Sequence, residues 1–196
     1  VKCVAEVIAP GMEYRPRAFV SEEAFRHCGV ESNWSRYGGD DYLKGEVAGL
    51  QVEMSELWVR RESGSGKRKR VQTVFRGLFM GIGSKRAHPA QTMVLPDRAE
   101  SMMGSYIGNF LQENNLARKG MLVKLEDPEF EKLFVVYSTD QVESRKLLTP
   151  RMMERFCALR KRVKAPIGFS FMDGQVYAIV WLNKDMFEPG LSSTLS

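Results

Sequence analysis

The chain contains few of the residues that build metal centres or nucleophilic active sites. Its 196 residues include two histidines, His27 and His88, and three cysteines. A structural zinc site takes four Cys or His ligands at short spacings, whereas His27 and Cys28 are adjacent, and their side chains diverge by about 100° on a helix. A nucleophilic serine or cysteine needs a base beside it, and no local motif supplies one. We therefore predict no metal site, no cofactor and no catalytic residue, and we expect His88 to be solvated in its Lys-Arg-Ala-His-Pro loop.

The chain also lacks the patterns of a secreted or membrane-spanning protein. Three widely spaced cysteines do not make a disulfide framework, so we expect reduced thiols in the cytosol, with Cys28 and Cys157 as small core residues. No apolar run approaches the roughly 20 residues of a transmembrane helix, and no signal-peptide pattern is present. Because the sequence begins at Val1 rather than Met, we expect both of its ends to be cut from a longer protein.

Alternating apolar residues predict several strands. The alternation within 42–61 and 71–83 predicts a long hairpin with residues 62–68 at its tip, and Ala48-Gly49 predicts a tight turn before it. Asp173-Gly174 predicts the turn of a last hairpin. Shorter strands are predicted over 92–95, 121–125 and 132–137, the last two separated by a turn at 126–128. Residues 10–18 and 31–41 have the composition of irregular connectors.

Capping signals predict the helices. Ser21 is the N-cap of a short helix, Ser138 with Gln141 forms a capping box, and Thr149 with Pro150 begins another helix. An apolar stripe predicts a further helix over about 98–115, and residues 1–9 resemble the tail of a preceding one.

Hairpins with helices grouped between them predict an α+β fold, a mainly antiparallel sheet with helices packed against it. We assign residues 1–19 to the end of a preceding helical or linker region, 20–189 to a single α+β domain and 190–196 to a tail.

Two basic clusters are the candidate contacts for an anionic surface, which the net charge of +5 favours. The first surrounds the predicted hairpin tip and the second ends the last helix; their members are Lys67, Arg68, Lys69 and Arg70, then Arg160, Lys161, Arg162 and Lys164. Such loops contact anionic lipid headgroups or nucleic-acid phosphates, and many only keep a protein soluble. No aromatic residues alternate with these charges, so no stacking platform for single strands is indicated.

A second polar set could serve an enzyme. Its members are Asp127, Asp140, Glu143 and Arg145. A strand over 132–137 would hold Asp127 about 20 Å from Asp140 at about 3.3 Å per residue, so they would not form one carboxylate pair. Asp127 is equally explained as a turn residue beside Pro128, and Asp140 and Glu143 as acids in the first turn of a helix.

Several segments together resemble a known family. They are FRGLF (75–79), LPD (95–97), LVKLEDPEFEKLFVVYSTDQVESRKLLTPRMMERF (122–156) and NKDMFEP (183–189), with YGGDDYLKGEVAG (37–49) upstream. The chain is similar over about residues 20–189 to the bacterial family known only as domain of unknown function 3137. The family carries no established activity. The resemblance does imply hydrophobic membrane segments ahead of this domain, and hence a domain on the cytoplasmic side of the inner membrane.

Three hypotheses follow. The first is a membrane-proximal, cytoplasmic-facing binding or interaction module without catalytic activity, whose partner is a protein or anionic lipid headgroups. The second is an enzyme of unrecognised type that uses the polar set. The third is a non-specific nucleic-acid binder, which the membrane-side placement disfavours. Convergence of the polar set in one pocket would favour the enzyme, and its dispersal over separate faces would count against it.

Overall fold

The computed structural model describes residues 11–30, 33–64, 70–97 and 121–182. Four helices lie in these ranges: α1 (Glu22–His27), α2 (Pro128–Glu131), α3 (Gln141–Leu147) and α4 (Pro150–Val163). Nine strands lie in them as well: β1 (Glu13–Arg15), β2 (Arg36–Val47), β3 (Leu50–Ser63), β4 (Arg70–Gly83), β5 (Thr92–Pro96), β6 (Met121–Leu122), β7 (Phe134–Ser138), β8 (Ile167–Met172) and β9 (Gln175–Trp181).

All nine strands form one sheet in the order β1-β2-β3-β4-β9-β8-β5-β7-β6. Every strand pairing between the described residues is antiparallel. The predicted mainly antiparallel sheet is therefore confirmed. Among the described residues the sheet dominates, and three of the four helices have seven residues or fewer, so the α+β class describes the fold only in part.

Turn chemistry correctly predicts two of the hairpins. Ala48 and Gly49 join β2 to β3 with φ of +52° and +75°, and Val47 pairs with Leu50. Asp173 and Gly174 join β8 to β9 with φ of +48° and +73°. Two successive residues with positive φ form the turn whose twist matches that of the flanking strands. The long hairpin is also confirmed, since Ser63 pairs with Arg70 across its tip.

The amino-terminal connectors are partly strands, which corrects the sequence prediction. β1 lies within residues 10–18 and pairs with β2, and β2 already begins at Arg36. The glycines of this segment resemble a loop, but close packing requires them. A Cβ on Gly38 would lie 2.3 Å from Cζ2 of Trp58, and one on Gly39 would lie 2.1 Å from the carbonyl oxygen of Glu56. Only glycine lets β3 approach this closely.

Two hydrophobic cores lie on opposite faces of the sheet. Neighbouring residues of a strand point to opposite faces, and in β5 Met93 and Leu95 join the first core while Val94 joins the second. Phe25 and Cys28, in and after α1, cover the first core. The second core is covered by α2 and α4 through Phe130, Met153, Phe156 and Cys157.

Two of the three predicted helix caps are confirmed. The side chain of Ser21 accepts from Ala24 N and that of Thr149 from Met152 N. Ser138 is not a cap, because it ends β7 and its hydroxyl interacts with Thr92 Oγ1 at 3.0 Å. Asp140 caps α3 instead.

The segment around β6 and β7 also differs from the prediction. The strand predicted over 121–125 is limited to Met121–Leu122, and the strand predicted over 132–137 lies at Phe134–Ser138. The turn predicted at 126–128 is the start of α2.

Several predictions lie outside the described residues: the helical tail over 1–9, the helix over 98–115, and the tail over 190–196. Within the ranges that the structure describes, no helix has the length and hydropathy needed to cross a bilayer.

Candidate functional site: the basic face of the last described helix

The rotation of α4 is fixed by the second core. Pro150 occupies its first turn, where no backbone donor is lost, and the Thr149 side chain caps it. Met153, Phe156 and Cys157 are buried, and the ring of Phe156 stacks on that of Phe169 with centroids 4.1 Å apart. Because these residues face the sheet, the opposite side of α4 faces solvent.

Three arginines line the exposed side of α4. Arg151, Arg155 and Arg162 are all exposed, and at 100° per residue they fall within a sector of about 40°, along about 16 Å of helix. We call this row the basic face. Among the described residues, none of its guanidinium groups is in an ion pair. Leu159 borders the row with 38% of its surface exposed.

The basic cluster predicted at 160–164 does not form one patch. Arg162 belongs to the basic face, but Arg160 lies on the sheet side of α4 and is half-buried. Lys161 is ion-paired with Glu129 of α2, and this carboxylate raises the pKa of the ammonium group. Lys164 is the C-cap, in the left-handed region at φ +55°. The prediction missed Arg151 and Arg155, although their spacing from Arg162 was readable in the sequence.

The first basic cluster is described only in part. Arg70 is exposed at the start of β4, opposite Ser63. Lys67, Arg68 and Lys69 lie outside the described residues.

The polar set does not converge. Asp127 caps α2 by accepting from Glu129 N and Phe130 N at 2.9 and 3.0 Å, and Asp140 caps α3 by accepting from Val142 N and Glu143 N at 2.8 and 3.1 Å. α2 precedes β7 and α3 follows it, so the two carboxylates lie beyond opposite ends of that strand. Their arrangement is that of helix caps, which counts against the enzyme hypothesis.

The remaining two members of the polar set are on α3. Glu143 Oε1 lies 2.7 Å from Lys146 Nζ, and Arg145 is exposed. Glu143 and Lys146 also line a cavity of about 160 Å³, together with Arg86, His88 and Thr92.

His88 borders this cavity and is buried, which corrects the expectation of a solvated loop residue. It is 9% exposed, its Nε2 lies 3.0 Å from Ser84 Oγ, and its ring meets Phe171 edge-on at 5.6 Å. Burial, with a smaller contribution from Arg86, lowers the pKa of the imidazole. Nothing in the sequence around His88 indicates Phe171, which comes from a distant strand.

His27 borders the first core, and Cys28 and Cys157 lie in the first and second cores. His27 Nδ1 lies 2.8 Å from the Tyr177 hydroxyl and Nε2 lies 3.4 Å from Asp173 Oδ2. Cys28 and Cys157 are free and buried, as predicted. Burial raises the pKa of the Cys28 thiol to about 12, so it remains protonated. No group of three or more metal-ligating side chains occurs within the described ranges.

Comparisons with known proteins place the chain in a family and a fold. The family model described as "Protein of unknown function (DUF3137)" matches residues 73–196. No curated protein matches the chain. The crystal structure of the mycobacterial trehalose monomycolate transport factor A, TtfA, is similar with a TM-score of 0.55 and 11% sequence identity, over 94% of this chain and 81% of that chain. At this identity the likeness extends to the fold alone.

Proposed function

The chain belongs to the DUF3137 family of proteins of unknown function, and on that premise we propose that it is a non-catalytic binding module that contacts an anionic membrane surface through the basic face. The observation that carries the proposal is the row formed by Arg151, Arg155 and Arg162, three exposed guanidinium groups without carboxylate partners among the described residues. A solvated surface with no ligand usually mixes charges of both signs. Residues 150–164 include six basic residues and the single acid Glu154.

The strength of this contact can be bounded. Each Lys or Arg near an anionic membrane contributes about 1 kcal/mol, so the basic face supplies about 3 kcal/mol. Leu159, exposed beside the row, adds a small apolar contact. The domain alone would therefore bind the membrane weakly, and stable attachment needs a second membrane-binding element.

We accordingly propose that the domain acts while anchored, on the cytoplasmic side of the inner membrane, as the resemblance to its family implies. The cytoplasmic leaflet carries a negative surface potential that attracts basic segments. In this arrangement the anchor keeps the protein at the membrane, and the basic face orients the domain against the lipid.

A non-catalytic role also agrees with what the fold is used for elsewhere. The structural neighbour is named as a transport factor for trehalose monomycolate. That name describes the handling of another molecule and names no reaction. We carry over the type of role, and neither the molecule nor its partners.

The proposal is tested by flotation with vesicles of phosphatidylcholine, with and without phosphatidylglycerol. The variant Arg151→Gln/Arg155→Gln/Arg162→Gln should lose on the order of 100-fold in partitioning to the anionic vesicles, since about 3 kcal/mol corresponds to that factor. Raising the salt from about 0.1 to 1 M should weaken wild-type binding, because the Debye length falls from about 10 to 3 Å.

The matched control is Arg17→Gln/Lys124→Gln/Arg145→Gln, which removes the same charge from exposed positions outside α4 that form no ion pair among the described residues. It should bind far better than the α4 variant. Equal loss in the two variants would reduce the effect to net charge. Equal recovery of wild type and the α4 variant would exclude the basic face, and tighter binding of that face to duplex DNA would favour the nucleic-acid hypothesis instead.

A further inference from the structure

A shallow trough lies on the sheet face opposite α4. Its volume is about 250 Å³ and its lining comes from four neighbouring strands: Lys44, Gln51, Val52, Glu53, Gly81, Gly83 and Gln175. Glu53 has the same parity in β3 as Leu57 and Val59, which belong to the first core. The trough therefore continues the face that α1 covers, at the end of the sheet that the turns at 48–49 and 173–174 close.

The trough exists because β4 places glycines where its neighbours place long side chains. Lys44, Glu53, Gly81 and Tyr177 form one continuous row across β2, β3, β4 and β9. In the next row, Gly83 pairs with Gln175. Strands are about 4.8 Å apart and alternate residues about 6.8 Å apart. The missing side chains leave a depression about 7 Å long, which the side chains of Glu53 and Tyr177 narrow above Gly81 and which is widest above Gly83.

Each glycine of the floor has room for a Cβ atom without displacement of its neighbours. A Cβ on Gly81 would lie 3.5 Å from Glu53 Cγ and 3.6 Å from Tyr177 Cε1, which are ordinary contacts. A Cβ on Gly83 would lie 3.7 Å or more from its nearest neighbours. Neither glycine has a positive φ. Packing and backbone conformation would therefore both accept an alanine at these two positions.

The walls carry hydrogen-bonding groups of both kinds. Glu53 accepts from the Tyr42 hydroxyl at 2.8 Å through Oε2, while its Oε1 lies 3.6 Å from the Cβ position of Gly81 and so borders the floor. Burial and Glu53 raise the pKa of Tyr42 to about 12, so its hydroxyl remains a donor. Gln175 offers an amide donor and acceptor, and Gln51 donates to Glu46 at 3.3 Å at the rim.

The charges of the trough narrow the class of ligand. Two carboxylates, Glu46 and Glu53, are balanced by the ammonium groups of Lys44 and of Lys85, whose Nζ lies 3.4 Å from the Cβ position of Gly49, so neither a free anion nor a free cation is favoured. Polar groups dominate the walls, so a purely apolar ligand would leave them unpaired. Carboxylate, ammonium and amide groups around a flat floor match a neutral molecule whose hydroxyls both donate and accept.

We propose that this trough binds one ring of a neutral polyhydroxylated ligand, a saccharide unit. Glu53 Oε1 and the Gln175 amide take hydroxyl groups at the two walls, and the ring lies over Gly83 with one edge toward Gly81. The site is smaller than the about 300–1,000 Å³ of a pocket for a drug-sized ligand, so one terminal unit enters it and the rest of the molecule projects outward. Binding by such an open site is weak, on the order of 1 mM.

The test is a titration of the ¹⁵N-labelled domain with methyl glucoside, methyl galactoside and myo-inositol, followed by amide chemical shifts. At least one of the three should produce saturable shifts at Glu53, Gly81, Gly83 and Gln175. Tetrahydropyran, a ring of the same size without hydroxyls, should produce none. Absence of saturable shifts with all three probes, or an equal effect of tetrahydropyran, would overturn the proposal.

Two variants locate the site. Gly83→Leu fills the floor and should weaken binding at least 10-fold, whereas Gln72→Leu, which adds the same side chain at an exposed position of β4, should bind as wild type. Glu53→Gln keeps an acceptor for Tyr42 but removes the charge, and should weaken binding several-fold even if Gly83→Leu fails to fold. Wild-type affinity in Glu53→Gln together with either wild-type affinity or misfolding of Gly83→Leu would refute the assignment.

A separate arm identifies the source of the saccharide. Phosphatidylcholine vesicles with and without a monoglucosyl diacylglycerol are floated with the Arg151→Gln/Arg155→Gln/Arg162→Gln variant, which cannot use the basic face. Recovery that requires the glycolipid and Glu53 supports a lipid headgroup, and recovery with neither vesicle, beside saturable shifts from the free probes, supports a soluble saccharide. Recovery that requires the glycolipid but is unchanged by Glu53→Gln would count against the trough.

Discussion

His27 Nδ1 lies 2.8 Å from the hydroxyl oxygen of Tyr177, although the two residues are 150 positions apart in the chain. Their rings meet edge to face with centroids 5.9 Å apart, and the Tyr177 ring stacks on Phe79 at 5.5 Å. The hydrogen bond therefore fastens the end of α1 to β9 at the border of the first core. A helix of six residues has little stability by itself, so contacts of this kind hold it on the sheet.

Tyr177→Phe should lower the free energy of unfolding by about 1 kcal/mol, because it removes the hydrogen bond to His27 and keeps the ring. Urea denaturation measures the change. Asp173→Asn serves as the control, since Asp173 is 74% exposed and lies 3.4 Å from His27, and it should cost less than about 0.5 kcal/mol. Wild-type stability in Tyr177→Phe would show that this bond does not hold α1.

Asp127 and Asp140 should behave as helix caps. Their replacement by Ala should cost about 1 kcal/mol each, whereas replacement by Asn should be nearly neutral, since Asn caps equally well without a charge. Thermal unfolding of the four single variants makes the comparison. A role in chemistry would give the opposite pattern, in which Asn impairs function as strongly as Ala while stability is unchanged.

His88 should make stability fall in mild acid. Burial and Arg86 lower the pKa of its imidazole below the 6.5 of the unfolded chain, so the unfolded state binds the proton more readily. The contribution of His88 is fully present above pH 6.5, declines as the pH falls below that value, and levels off below the folded-state pKa. Urea denaturation at pH values between about 5 and 8 should show a smaller decline in the free energy of unfolding for His88→Gln than for wild type. Equal declines in the two proteins would mean that a group other than His88 causes the pH dependence.

Of the two turn residues between β2 and β3, only Ala48 should allow a substitution that stabilises the protein. Ala48 has φ of +52°, where an L-residue with a Cβ is strained by about 1 kcal/mol, so Ala48→Gly should stabilise the protein by up to that amount. Gly49 has φ of +75°, and Gly49→Ala should destabilise it. Thermal melts of this pair should shift in opposite directions. A shift in the same direction would mean that unfolded-state entropy outweighs the turn.

The sequence was most informative where structure is local. Asp173-Gly174 and Thr149-Pro150 predicted their turn and helix start correctly, because a two-residue turn and an N-cap depend on a few adjacent residues. The same reasoning was wrong at Ser138, because the N-cap is Asp140, two positions later. The choice between them was made by Thr92, whose pairing with Ser138 extends β7 and occupies the hydroxyl.

The predictions that failed depended on partners far away in the chain. Gly38 and Gly39 have loop composition, yet Trp58 and the Glu56 carbonyl require glycine at those positions of β2. His88 lies among polar residues in the sequence, yet Phe171, from a distant strand, packs against its ring. The prediction of one basic patch on α4 failed for a different reason. Adjacent basic residues diverge by about 100° on a helix, so the run at 160–164 does not lie on one side of α4, whereas Arg151, Arg155 and Arg162 do.

Ile179 and Val180 are neighbours in β9, and each is built into a different core. A strand in this position cannot slide by one residue, because a single step would exchange the side chains of the two compartments. A one-residue deletion within β9 should therefore unfold the molecule as a whole. Because both cores pack against β9, a substitution that shifts this strand in one core should also alter the packing of the other.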